Sequence, residues 1–189
     1  MKKGGYQSLI VYQQAVVIYD LNHKFCQWFI KSPRTKEQME QASRSGKQNI
    51  VEASLEKSLK MNIKLTGVAR GSFGELLEDY KDFLRIRGLS VWDKDDKRLK
   101  AVRAWRVTNE TNETNVTNWT NLTNWTNEPE RFANLMITLI SKENYLLDKM
   151  IQALEEKFVK EGGYSEGLTK KRILEKKRQF SRWVKRRWD

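Results

Sequence analysis

The sequence predicts an all-α protein: an up-down-up-down four-helix bundle with an inserted low-complexity loop and a basic C-terminal helical extension. Apolar residues recur at helical spacings of three and four in four long stretches. Residues that break helices are rare, with 10 glycines and 2 prolines in 189 residues. We therefore divide the chain into a bundle over residues 1–161, which contains an insertion at 89–127, and a basic suffix over 162–189.

The first predicted helix, near residues 9–30, carries apolar residues on two sides. The predicted core stripe consists of Leu9, Tyr12, Val16, Tyr19, His23, Cys26 and Ile30. A second stripe on a separate side consists of Ile10, Val17, Leu21, Phe25 and Trp28. A four-helix bundle buries only one stripe per helix, so we assign the second stripe to the interface of a homo-oligomer.

Three further helices are predicted near residues 35–57, 59–87 and 129–161. Thr35 with Gln38 forms a capping box for the second helix, whose small residues favour a close neighbour. Gly67, Gly71 and Gly74 lie inside the third helix, where each costs about 1 kcal/mol relative to alanine. We expect tight helix packing to compensate for them. Gly88 is predicted to end the third helix, and Gly162 with Gly163 the fourth. Asn127 with Glu130 is predicted to cap the fourth helix at its start.

The insertion between the third and fourth helices has two parts. Residues 93–105 form a short charged pattern typical of a helix. Residues 108–127 repeat Thr-Asn with a period of three, which matches neither helix nor strand and predicts an exposed loop. The repeat contains N-x-T glycosylation acceptors, which we expect to be unused because the N-terminus is a poor secretory signal.

Positive charge is concentrated at the C-terminus. The chain has a net charge of +12, and residues 168–189 hold ten basic residues against only Glu175 and Asp189, a net of +8. Such asymmetry indicates a polyanionic partner. Nucleic acid is the first candidate and an anionic membrane surface the second. The basic residues are interleaved with Phe180, Trp183 and Trp188, whose rings can stack on unpaired bases. The alternative is a solvated basic helix whose Ile173, Phe180 and Val184 dock on the bundle.

The predicted nucleic-acid-binding residues combine cations that neutralise phosphates with aromatic rings that stack on bases. They are Lys170, Lys171, Arg172, Lys176, Lys177, Arg178, Arg182, Trp183, Lys185, Arg186, Arg187 and Trp188. Further basic residues on the second and third helices would add to this surface in an oligomer. They are Arg44, Lys47, Lys57, Lys60, Lys64 and Arg70.

Three segments resemble the bacterial four-helix bundle protein family. This family includes proteins encoded in intervening sequences of large-subunit ribosomal RNA genes and the accessory variability protein of diversity-generating retroelements. The segments are LIVYQQA at 9–15, QASRSGKQNIVEAS at 41–54 and GVARGSFGELLEDY at 67–80. FVKEGGYSEGLTKKR at 158–172 resembles the suffix of a longer subgroup.

The resemblance implies a bundle that assembles into a ring, commonly a homopentamer, with a basic surface for nucleic acid. In the retroelement branch it also implies a reverse transcriptase as partner. The insertion and the basic tail are absent from the compact retroelement members, so the family's role is not transferred whole. The rival functional class is an oligomeric protein–protein scaffold that uses its charge for solubility.

The residues needed for catalysis are sparse, and we predict that the protein is not an enzyme. His23 and Cys26 lie one turn apart, but no second histidine or cysteine completes a metal site, so both are assigned to the core. No phosphate-binding loop or dinucleotide fingerprint occurs. We therefore predict no cofactor and no metal. No apolar run is long enough to span a bilayer, so we expect a cytoplasmic protein without a membrane partner.

Overall fold

The fold is all-α, as predicted. The computed structural model describes residues 5–104 and 128–188, and these contain no β-strand. The long helices are α1 (Ile10–Phe29), α2 (Pro33–Leu55), α3 (Leu59–Ile86), α5 (Pro129–Glu161) and α6 (Tyr164–Trp188), and a short α4 (Lys100–Ala104) precedes α5. The first four long helices begin and end within about two residues of the predicted bounds. The Thr-Asn repeat at 108–127 lies outside the described residues.

Four of the long helices enclose one hydrophobic core. Helix α1 packs against α2 and α5, and α3 packs between α2 and α5. The largest fully buried side chains come from all four helices; they include Phe25, Ile50, Phe73, Tyr80 and Phe132. Rings from three helices meet at Phe25, whose centroid lies 4.8 Å from that of Tyr80 and 5.2 Å from that of Phe132. The core therefore depends on each of the four helices.

The core face of α1 differs from the predicted stripe. Buried positions include Val11, Ala15 and Ile18, together with the polar residues Gln14 and Asn22, whereas Tyr19 and His23 lie outside the core. The prediction followed unbroken apolar spacing and so excluded the two amides. In the structure Gln14 donates to the carbonyl of Leu139 at 3.0 Å. An amide that hydrogen-bonds to a backbone group can be buried at little cost. The buried face of α1 therefore includes Gln14 and differs from the predicted stripe.

Asn22 joins three helices inside the core. Its side chain is completely buried, and its Nδ2 donates to the Met39 carbonyl at 3.0 Å and to Ser43 Oγ at 3.1 Å on α2. The Tyr80 hydroxyl on α3 donates to Asn22 Oδ1 at 2.9 Å. The Asn22 amide and the Tyr80 hydroxyl make these hydrogen bonds only when α1, α2 and α3 are in register.

The helix ends show which predicted signals were right. Helix α2 begins at Pro33, because Ser32 rather than Thr35 supplies the cap and accepts from the Thr35 backbone N–H at 3.3 Å. Gly88 ends α3 with a φ of +63, as predicted. At the start of α5 the N-cap is Glu128, with no side-chain cap, and the predicted Asn127 cap lies outside the described residues.

The described part of the predicted insertion contributes buried side chains, which its charged sequence did not predict. Trp92, Leu99 and Val102 are buried, and α4 packs against α5. The Trp92 backbone N–H donates to Asn134 Oδ1 at 2.7 Å, and its indole N–H donates to Glu130 Oε1 at 2.8 Å. Of the predicted helix at 93–105, the described residues form a 3₁₀ turn, Lys97–Leu99, followed by α4, and residue 105 lies outside them.

The glycines of α3 do not pack as predicted. Nothing lies within 4 Å of a Cβ built at Gly67 or Gly71, and both are exposed. The close contact between α2 and α3 is instead at Gly46 on α2, where a Cβ would lie 2.7 Å from the Phe73 ring. The small-residue packing between α2 and α3 therefore depends on Gly46.

Replacing these glycines should give opposite changes in stability. Gly71→Ala should raise the free energy of unfolding by about 0.5–1 kcal/mol, because alanine is the better helix former and meets no neighbour. Gly46→Ala should lower it by about 1–3 kcal/mol, because the fully buried Phe73 ring must move. Urea unfolding of the two variants tests this. A stabilised Gly46→Ala variant would contradict the packing described here.

Glu143 on α5 is a fully buried carboxyl group that the sequence analysis missed. Neither of its carboxyl oxygens has a hydrogen-bond partner among the residues that the structure describes, and burial raises its pKa well above the ordinary value of 4.5. The signal in the sequence is its position four residues after Leu139 and four before Leu147, both buried. A carboxyl at a core position without a partner is held protonated.

Glu143 should make the fold less stable as the pH rises. Below pH 4.5 the group is protonated in both states; above it the unfolded chain loses the proton that the folded chain keeps. Stability then falls by about 1.4 kcal/mol per pH unit until the pH passes the folded-state pKa. Glu143→Gln removes this dependence, so its advantage over the parent in urea unfolding should grow between pH 5 and pH 8. An advantage that stays constant would show that Glu143 does not titrate in this way.

Candidate nucleic-acid interface

Helix α6 follows α5 directly across two glycines. Gly162 has a φ of +78, a conformation that L side chains rarely adopt, and its N–H donates to the Phe158 carbonyl at 2.9 Å. Gly163 lies against the Phe158 ring, where a Cβ would be 3.2 Å from the ring. The chain therefore ends one helix and begins the next within two residues, as the Gly-Gly pair predicted.

Helix α6 is not part of the core. None of its residues is buried, and no helix in the described part of the chain packs along it. Ile173 is 49% exposed and Phe180 66% exposed, and Val184 is only half-buried. The alternative in which Ile173, Phe180 and Val184 dock on the bundle is therefore wrong for the described residues.

All twelve predicted nucleic-acid-binding residues lie on α6 and are exposed. The helix carries ten basic residues against Glu166 and Glu175, so its net charge is +8. Within the described residues the ion pair that involves α6 joins Arg178 to Glu175 at 3.9 Å. The other nine cations have no carboxylate within reach there, which leaves them available for anions.

The aromatic residues of α6 differ in how free their faces are. The Phe180 and Trp183 rings stack with centroids 6.0 Å apart and an interplanar angle of 25°. The Arg187 guanidinium lies 5.0 Å from the Trp183 centroid. Trp188 is 81% exposed. Trp183 therefore already contacts two neighbours of its own helix, whereas Trp188 is largely open to solvent.

The additional basic residues on α2 and α3 divide into two groups. Arg44, Lys57, Lys60 and Lys64 are exposed. Lys47 lies over the Tyr19 ring at 3.7 Å, and partial burial lowers its pKa. Arg70 pairs with Asp148 through Nε at 3.0 Å and through Nη2 at 3.4 Å. Lys47 and Arg70 thus have intramolecular roles.

The predicted oligomer stripe on α1 is not a continuous surface. Leu21 and Phe25 are buried in the chain's own core, so their assignment to an interface is wrong: an enclosed side chain cannot also contact another subunit. Val17 is half-buried against that core. Ile10 and Trp28, near opposite ends of the helix, are 57% and 55% exposed. The prediction assumed that the stripe from Leu9 to Ile30 filled the core and left this second stripe free for another subunit.

His23 and Cys26 do not meet as a reactive pair. His23 is exposed, with Nδ1 at 3.0 Å from Glu40 Oε1 and Nε2 at 2.8 Å from Gln27 Nε2. Its assignment to the core is therefore wrong, while that of Cys26 is right. Burial raises the pKa of the Cys26 thiol to about 12, which leaves it protonated and unreactive at neutral pH. No group of three metal-binding side chains occurs among residues 5–104 and 128–188.

Two of the surface grooves formed by the described residues were not foreseen. One, of about 810 Å³, is mainly apolar and lies where α1, α4 and α5 meet, with Ile10, Trp92 and Tyr145 in its lining. The other, of about 730 Å³, lies between α2 and α3 and is lined by Glu37, Glu75 and Asp79. Burial, then the neighbouring Asp82 and Glu75, raise the pKa of Asp79. Such grooves arise between helices, so a single helical stripe does not reveal them.

No helix in the described residues is both long enough and apolar enough to cross a membrane. Comparison with known proteins gives no match to a family model, to a curated protein or to a solved structure.

Proposed function

We propose that this protein is a non-enzymatic nucleic-acid-binding protein of low sequence specificity, and that α6 is its binding site. The observation that carries the proposal is that one helix combines a +8 charge with the absence of any buried residue. A helix that contributes nothing to the core has no structural need for ten cations. Lysine and arginine gain binding free energy from phosphates by releasing condensed counterions.

The composition of α6 favours phosphate contacts over base recognition. Ten of its 25 residues are lysine or arginine, and its carboxylates are two. Phosphate contacts position a protein on nucleic acid without reporting sequence. The side-chain amide of α6 is that of Gln179, so few groups other than the arginines could distinguish one base edge from another. Low specificity follows from this composition.

The remainder of the chain serves in this proposal as an up-down-up-down bundle that carries α6. Contacts between helices support alternating directions. Gln14 of α1 contacts Leu139 of α5, whereas Phe25, further along α1, contacts Phe132, which is earlier in α5. Links of three residues, 30–32 and 56–58, join α1 to α2 and α2 to α3. Such short links favour antiparallel neighbours.

Assembly into a homo-oligomer, with a pentamer favoured, is part of the proposal and is supported by the family resemblance. Several copies of α6 in one particle would raise the avidity for a long polyanion. The resemblance also motivates a role as accessory factor of a reverse transcriptase. That partner would bind elsewhere on the assembly, for example at an apolar patch containing Ile10 or Trp28.

Removing α6 should abolish nucleic-acid binding and leave the bundle folded. Truncation after Gly163 deletes no buried residue, so the urea midpoint should stay within error of the parent value. Fluorescence anisotropy with duplex DNA should show a log–log salt slope of about −0.9 per phosphate neutralised for the full chain and a much shallower slope for the truncated one.

A matched control separates α6 from general charge. Lys31→Gln with Lys97→Gln removes two exposed lysines outside α6 and should change the affinity little. Equal affinity of the truncated and full chains would show that α6 is not the binding site. The exposed Arg44, Lys57 and Lys60 would then be the next candidates. Absence of binding by either at physiological salt would favour the scaffold function, whose partner should survive nuclease treatment in a pull-down.

The mass of the particle tests the oligomer directly. Light scattering should give about five times the 22.4 kDa of one chain, as the resemblance implies. Trp28→Ser removes a 55% exposed ring and should lower that mass if this end of α1 lies at the interface. A parent protein of 22.4 kDa at micromolar concentration would contradict assembly.

A further inference from the structure

We propose that α6 binds duplex DNA by lying in its major groove, in preference to single strands and duplex RNA. This inference rests on the proposed function and identifies the nucleic acid that the site takes. It follows from three features of α6: the distribution of its cations around the helix, the state of its aromatic rings and the absence of a packed face.

The cations of α6 surround the helix instead of forming one stripe. At about 100° per residue, the ten basic positions cover about 280° of the circumference. The remaining arc carries Ile173, Phe180 and Val184. A helix that rests on a single line of phosphates uses only one stripe of cations. Cations on nearly all sides suit a site where phosphates flank the helix on both sides.

The major groove of B-form DNA is such a site. It is about 12 Å wide, which admits an α-helix of about 10–12 Å diameter between two phosphate backbones. The corresponding groove of A-form RNA is deep and too narrow for a helix. Since no described helix packs along α6, no part of the described bundle blocks either side of it. The geometry therefore favours duplex DNA over duplex RNA.

The aromatic rings do not form an open platform for unpaired bases. A base stacks on a free ring face. One face of Trp183 is in contact with Phe180, and Arg187 lies over the ring at 5.0 Å. Trp188, 81% exposed, has no ring contact within the described residues, so it offers a single stacking site near the end of the helix. Trp188 and the 66% exposed Phe180 lie eight positions apart along the helix and do not form a continuous series of free rings, so they give less affinity for single strands than such a series would.

Two double variants test whether both sides of α6 meet phosphates. Lys177→Gln with Lys185→Gln removes cations from one side, and Arg172→Gln with Lys176→Gln removes them from a side about 160° away. Each double variant should make the log–log salt slope for duplex DNA shallower by about 2, because each cation contributes about 1. The Lys31→Gln, Lys97→Gln protein is the control with equal charge loss.

The probes are a DNA duplex, an RNA duplex of the same sequence, the single DNA strand, and the DNA duplex with its cytosines carrying glucosylated 5-hydroxymethyl groups that fill the major groove. The full-length protein should bind the unmodified DNA duplex most tightly and lose affinity severalfold on the filled groove. If only one double variant changes the slope, or if the filled groove binds equally well, α6 lies on the outside of the backbone and the groove inference is wrong.

Failure of this inference is distinct from failure of the proposed function. Equal or tighter binding of the single strand or the RNA duplex, still lost on truncation after Gly163, would overturn the major-groove inference and keep α6 as the nucleic-acid site. If the full-length protein binds none of the four probes, both the major-groove inference and the proposed function are wrong. Circular dichroism of each variant should show unchanged helix content, because none of the replaced side chains is buried.

Discussion

The bundle depends on the polar cluster at Asn22. This side chain is completely buried, and one amide connects α1 to the backbone of α2 and to the Tyr80 hydroxyl of α3. Apolar packing alone tolerates small shifts between helices, whereas a buried donor or acceptor without a partner costs about 1–3 kcal/mol. The cluster therefore selects one register among the many that the apolar faces would permit. In that register Gly46 leaves room for the Phe73 ring, which a Cβ would approach to 2.7 Å.

The all-α fold and the bounds of the long helices could be predicted because they depend on local features. Apolar spacing, the Gly88 stop and the Gly-Gly pair at 162–163 are each visible within a few residues. The core face of α1 could not be predicted in the same way. Its position depends on Gln14 and Asn22 finding partners on other helices, and a single sequence does not show those partners. The burial of Glu143 could not be predicted either, because a charged residue is expected inside only with a partner, and Glu143 has no hydrogen-bond partner among the described residues.

The candidate site was foreseen for a different reason. Charge does not need tertiary context, so the ten cations of α6 stood out directly from the sequence. What the sequence did not show was whether Ile173 and Phe180 would dock on the bundle. Burial of a small apolar stripe depends on an acceptor surface elsewhere in the chain, and none of the described helices packs along α6. The assignment of Leu21 and Phe25 to an oligomer interface was wrong for a related reason, since the chain's own core encloses both side chains.

The lack of burial in α6 also bears on how this chain can change over generations. A substitution at Phe73 or Asn22 disturbs neighbours on other helices, so it can destabilise the fold whatever its effect on activity. A substitution in α6 does not destabilise the core in this way, because the Gly162–Gly163 junction separates the helix from the core. The length and charge of α6 can therefore change while the packing of the other long helices stays unaltered.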